Sequence, residues 1–199
     1  MRILMGHWLV RCAAVALALN ASAALAIVTQ PTPEQIRAAL EAAKVVAQQG
    51  GPPDSFYVHF GAGDDLHPAG FLITKLGALS VMATHMALRG LQPGEADVAQ
   101  VLETKTMLVS TVIFGNVPNF AVDSYMVLEQ EGRTIKPVTV RFDGQANRSA
   151  AWPDHPRFKA KVVASFAYSD FDPKAKTTIT VFPANGGETS FQVDFADMN

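Results

Sequence analysis

An α+β fold is predicted, with a helical N-terminal part packed on a C-terminal immunoglobulin-like antiparallel β-sandwich. Two observations predict it, and a third limits it. Near residue 104 the apolar pattern changes from helical spacing to alternation. Six or so short alternating runs then follow over about 95 residues, separated by turn residues. The Cys…Trp…Cys signature of antibody domains is absent, so the immunoglobulin likeness is one of architecture alone. The chain divides into a signal peptide (1–26), a mainly helical part (27–103) and a β-sandwich domain (104–199). The last two are expected to pack as one unit, with two separate domains as the alternative.

Residues 1–26 show the three zones of an export signal. Arg2 and Arg11 make the start basic, Cys12 to Leu19 is an uninterrupted apolar run, and Ala21 to Ala26 is a string of small residues. The apolar run is shorter than the roughly 20 residues that cross a bilayer. Cleavage after Ala26 is therefore expected, which places the protein in the periplasm or outside the cell. It would remove Cys12, the one cysteine, and with it any disulfide, thiolate metal ligand or cysteine nucleophile. The charges are well mixed, 16 Lys+Arg against 18 Asp+Glu, and cleavage removes two of the cations. With no basic stripe, neither nucleic acid nor an anionic membrane surface is an expected partner. No later stretch is long and apolar enough to span a membrane.

The first helix has Thr32 as N-cap, Pro33 in its first turn and Gln35 at capping-box spacing. Ile36, Ala39, Leu40, Ala43 and Val46 form its apolar face, and Gly50-Gly51-Pro52-Pro53 ends it. Ser55 to Phe60 and residues 70–74 read as short strands around the polar loop Gly61 to Pro68. From Lys75 to Arg89, Leu76, Leu79, Met82, Ala83, Met86 and Ala87 recur at helical spacing, with Gly90 as the stop. A short helix follows from Pro93-Gly94 to about Glu103. The strands then run over Lys105–Phe114, Tyr125–Gln130, Arg133–Phe142, Phe158–Tyr168, Thr177–Phe182 and Ser190–Phe195. Glu131-Gly132 and Asn185-Gly186-Gly187 are the hairpin turns.

Candidate chemistry is sparse. His59, Asp64, Asp65 and His67 have the ligand types of a divalent-metal site, and a metal-dependent hydrolase would use them. The competing reading is a strand-end histidine beside turn-forming aspartates. No other cofactor is expected. His85 reads as a core or half-buried histidine. Asp170 and Asp172 resemble a fragment of a calcium loop, or a turn cap. Lys75 opens a mostly apolar helix, where a lysine has either a depressed pKa or an ammonium that reaches water. The long loop from Asp143 to Arg157 carries Arg148, Trp152 and His155. Trp152 there either anchors a partner or folds back to cap the sandwich.

No nucleophile elbow, phosphate-binding loop or dinucleotide fingerprint is present, which argues against catalysis. The leading expectation is an exported soluble binding or structural module that recognises a protein or glycan through Trp152, Arg148 and His155. The alternatives are the metal-dependent hydrolytic enzyme and a small-ligand carrier lined by Met82, Met86 and Met107. The ligand and the oligomeric state stay open.

Overall fold

A computed structural model describes residues 27–198; the expected signal peptide and its cleavage site lie outside the described residues. Among the described residues the fold is α+β, with three α-helices and ten strands in two antiparallel sheets. Helix α1 (Pro33–Gln48) starts on a capping box. The Thr32 hydroxyl accepts from the Gln35 amide at 3.3 Å, and the Gln35 side chain accepts from the Thr32 amide at 2.9 Å. One 3₁₀ turn (Pro53–Phe56) then leads into β1 (Val58–Gly61) and β2 (Ala69–Ile73). The strand expected over Ser55–Phe60 thus begins later, because the Pro52-Pro53 pair sets a helical turn first.

Helix α2 (Lys75–Ala87) buries Leu79 and Ala83 of the expected apolar face, leaves Leu76, Met82, Met86 and Ala87 half-buried, and adds small and polar residues on the side of α1. The buried positions are Lys75, Gly77, Leu79, Ser80, Ala83 and Thr84. The Ser80 hydroxyl donates to the Ala39 carbonyl at 3.2 Å, and Thr84 donates to Ser80 O at 2.8 Å. Small residues let the two backbones approach closely, and these carbonyls satisfy the hydroxyls that come with them. His85, expected in or near the core, is exposed as a result, and Thr84 takes the buried place. Helix α3 (Glu95–Leu102) follows α2 and leads into the remaining strands.

The larger sheet runs β1-β2-β3-β8-β6, with β7 also on β8; the smaller runs β10-β9-β4-β5. Their strands are β3 (Thr106–Gly115), β4 (Tyr125–Gln130), β5 (Arg133–Ile135), β6 (Thr139–Phe142), β7 (Asn147–Arg148), β8 (Phe158–Ala167), β9 (Lys176–Phe182) and β10 (Thr189–Asp194). Facing residues of the two sheets form one core. Met107, Val109, Val162 and Phe166 of the first meet Met126, Leu128, Ile179 and Val181 of the second, all fully buried. Strands from both sides of residue 104 share the larger sheet, since β2 pairs with β3 from Ala69↔Val112 to Ile73↔Leu108.

The run Arg133–Phe142 is not one strand. β5 ends at Ile135 in the smaller sheet, and β6 resumes at Thr139 in the larger one. Pro137 lies at the break, where a residue without an N–H cannot continue the ladder and the chain crosses between sheets. The hairpin before it is as expected, with Gln130 opposite Arg133. Glu131 and Gly132 have φ of 49° and 78°, the pair of left-handed residues a type I′ turn needs. Glutamate is a poor occupant of that region. Glu131→Asn is expected to raise stability by about 0.5–1 kcal/mol, seen as a higher Tm. An unchanged or lowered Tm would show that Glu131 has another role.

Candidate functional site

The Trp152 loop is strapped at both ends. The Asp143 carboxylate accepts from the Lys161 amide at 2.8 Å, and the Ala146 amide donates to Pro118 O at 2.7 Å. β7 pairs with the first residues of β8, Arg148 opposite Phe158. Buried Ser149 donates to the Pro156 carbonyl and accepts from the Ala151 amide. The Trp152–Pro153 and His155–Pro156 peptide bonds are cis. An ordered loop of this kind presents its side chains at little further entropic cost.

Two of the three candidate binding residues come together here. The Arg148 guanidinium lies over the Trp152 ring, 4.6 Å from its centroid. The ring meets Phe158 edge to face at 5.3 Å, yet Trp152 stays 40 % exposed. It therefore rests on the sheet end and still offers surface to solvent. A cavity of about 510 Å³ opens beside it, lined by Pro118, Gln145, Asn147, Arg148 and Trp152 among others. His155 turns to another loop, its Nδ1 2.5 Å from Oδ1 of Asn116.

Of the metal-type residues, Asp64, Asp65 and His67 line one cavity of about 210 Å³, with Asp64 and His67 in direct contact. The His67 Nδ1 is 2.7 Å from the Asp64 carboxylate, which also accepts from the Leu66 and His67 amides. The Leu66 amide and then the His67 ring hold the Asp64 carboxyl below its usual value. Asp65 faces Lys159 at 3.8 Å. His59 lies against the Phe71 ring, centroids 6.0 Å apart, while Phe71 itself stacks on Tyr57 at 4.4 Å. Among the described residues no three His, Cys, Asp or Glu side chains gather as a metal site. The Asp172 carboxylate accepts from the Lys174 amide at 2.8 Å, the geometry of a turn cap.

Lys75 is buried, only 9 % exposed, with its amine 5.3 Å from the centre of the Tyr168 ring. Burial, and then the charge of Lys105, lowers its pKa. Burial pushes the Tyr168 phenol up to about 12, against a hydrogen bond from the Lys75 backbone amide. Sequence reasoning had no signal for this pairing, since a lysine at a helix start and a tyrosine at a strand end meet only in the folded chain. The methionines do not form one pocket. Met107 is fully buried between the sheets, while Met82 and Met86 are half-buried on α2. The groove of about 530 Å³ between α1 and α2 is lined instead by Leu40, Ala47, Ala83 and Leu91, with Arg37 and Lys44 on its rim.

No family model matches the chain. No curated protein matches it. Among solved structures it is similar to the archaellum periplasmic stator protein FlaG from Sulfolobus acidocaldarius. That match has 11% identity and a TM-score of 0.32, and covers 46% of this chain and 88% of that one. A second is the archaellum periplasmic stator protein complex of FlaF and FlaG from the same organism, at 14% identity and a TM-score of 0.30. It covers 45% of this chain and 77% of that one. Among the described residues no helix is long and apolar enough to cross a membrane.

Proposed function

We propose that the protein is an exported, non-enzymatic recognition module that binds a protein or glycan partner through the Arg148–Trp152 platform. The observation that carries this reading is a tryptophan held rigidly on Phe158, stacked under a guanidinium and still 40 % exposed. Aromatic and arginine side chains in such settings dominate binding energies, because they desolvate large area with little entropy to lose. The two sheets are read as an immunoglobulin-like sandwich, whose end loops are the usual place for contacts. The helices and sheets are read as one unit, supported by the β2–β3 pairing across residue 104.

Export rests on the pattern of residues 1–26. The Ile27 nitrogen adds support. It lies 3.2 Å from the carbonyls of both Pro173 and Phe195, beside a buried Ile27 side chain. The ammonium left by cleavage after Ala26 would have N–H groups enough for both.

The test is crosslinking in the producing cell's extracytoplasmic fraction, beside a glycan array, with Trp152→Ala and Arg148→Ala as paired variants. One specific partner is expected, its recovery falling at least about tenfold in both variants. Its full retention by both variants, or the absence of any partner in both screens, would overturn the reading. A fall in Tm of more than about 10 °C in Trp152→Ala would mean that the ring chiefly caps the sheet.

A further inference from the structure

We propose that the cleft at the far end of β8 from the Trp152 loop binds a small organic anion, one oxyanion group on an apolar body, through Lys75 and Lys105. The cleft measures about 610 Å³, within the range of small-molecule sites. Its lining includes Lys75, Lys105, Tyr168, Thr29, Ser169 and Leu102, and holds no aspartate or glutamate.

The charges in this cleft are uncompensated. The exposed cations Arg37 and Lys44 each have a glutamate on their own helix, and Lys159 has Asp65. Among the described residues Lys75 has no carboxylate within ion-pair distance, although the residue as a whole is only 9 % exposed. Partial loss of hydration disfavours the Lys75 ammonium, and the charge of Lys105 adds repulsion. Its one aromatic contact, the Tyr168 ring at 5.3 Å, offsets only part of that cost. An oxyanion between the two amines would relieve both terms through charge-assisted hydrogen bonds.

The other groups agree with an anion. The Tyr168 phenol stays protonated through the physiological range, so it is a donor and not a competing negative charge. The Thr29 hydroxyl is a further donor on the rim, while the Ser169 hydroxyl already donates to the Asp170 carboxylate at 2.7 Å. Helix α2 begins at Lys75, and the positive end of its dipole adds to the same field. Leu102 and the Tyr168 ring give an apolar body something to lie on. A bare inorganic ion would leave that surface unused. β8 is ten residues long. At about 3.3 Å per residue this cleft lies roughly 30 Å from the Trp152 platform, so it is a separate site.

The test uses the purified protein with benzoate and inorganic phosphate as probes, at ionic strength held constant with sodium chloride. Acylation of each lysine by an activated acetate ester is followed by mass spectrometry. At least one probe is expected to slow acylation of Lys75 about tenfold, saturating below about 10 mM, while exposed Lys136 is unaffected. Protection by benzoate would point to a carboxylate ligand, and protection by phosphate to a phosphate ester. Lys105 is exposed, so Lys105→Met should fold, and it is expected to weaken protection about threefold. Unchanged Lys75 acylation with both probes, or undiminished protection in Lys105→Met, would overturn the proposal. Neither result bears on the Trp152 platform.

Discussion

Gly70→Ala is expected to destabilise the protein by about 3 kcal/mol, a fall in Tm of roughly 10 °C. Gly70 is buried in β2, between Phe60 of β1 and Thr111 of β3. A Cβ there would lie 2.5 Å from the Ser110 carbonyl oxygen and 2.5 Å from the edge of the Phe60 ring. The oxygen belongs to the backbone of β3 and moves only with the strand. The ring is confined as well, since Phe60 meets Phe191 of the opposite sheet edge to face at 5.0 Å. Either clash therefore passes to a central strand or to the inter-sheet core. Thermal melts give the cost, and a double-mutant cycle with Phe60→Leu divides it. The Leu side chain relieves the ring contact and leaves the carbonyl one, so the double variant should recover part of the loss. A Gly70→Ala protein within about 1 kcal/mol of the parent would show that β2 and β3 separate more easily than their pairing implies.

The period-two pattern of β8 and β10 made those strands readable to within a residue or two, because each buries one face against the other sheet, while β4 and β9 read as short apolar runs between turn residues and bury consecutive residues. β8 is the clearest case. Ala160, Val162, Ala164 and Phe166 are buried, as alternation requires, while Lys159 and Lys161 are on the opposite face. Where two features competed, the pattern misled. Arg133–Phe142 alternates well enough for one strand, yet Pro137 cannot pair and the chain uses it to change sheets. On α2 the expected face supplied Leu79 and Ala83 to the interior, and the close approach of α1 added Ser80 and Thr84, which the apolar pattern did not mark. The membership of β1 and β2 in the larger sheet was not legible, because strand pairing across a helix is a property of tertiary packing.

The candidate sites follow the same division. Arg148 and Trp152 are close in sequence, and the length and composition of their loop singled them out before any geometry. His59 was grouped with Asp64, Asp65 and His67 on sequence proximity alone. The strand direction of β1 places it against Phe71, while Asp64, Asp65 and His67 line one small cavity. The Lys75–Tyr168 contact joins a helix start to a strand end, so only the fold reveals it.

Gln130 is expected to be the most sensitive polar residue of the described fold. It is 4 % exposed at the end of β4, and its amide makes three hydrogen bonds. Nε2 donates to the Asp172 carbonyl at 2.9 Å and to the Thr177 hydroxyl at 2.8 Å; Oε1 accepts from the Asp172 amide at 2.8 Å. The Thr177 hydroxyl donates onward to the Ala175 carbonyl. One side chain thus fastens the turn between β8 and β9 to the smaller sheet. Gln130→Leu keeps much of the volume but leaves the Asp172 amide without its protein partner and the Asp172 carbonyl with the Ala175 amide alone, at 3.3 Å, at a cost of about 2 kcal/mol. Gln130→Glu separates shape from bonding. Its carboxylate has no proton for the Asp172 carbonyl, so burial beside that oxygen raises its folded pKa above the unfolded value. The stability this variant keeps is therefore present below the unfolded pKa and lost as pH rises through the folded one. Urea melts at pH 4 and pH 7, referenced to the parent at each pH, should show Gln130→Glu nearer to the parent at pH 4. Parent-like stability at pH 7 would mean that the Asp172 turn is held by other contacts and that the Gln130 network is dispensable.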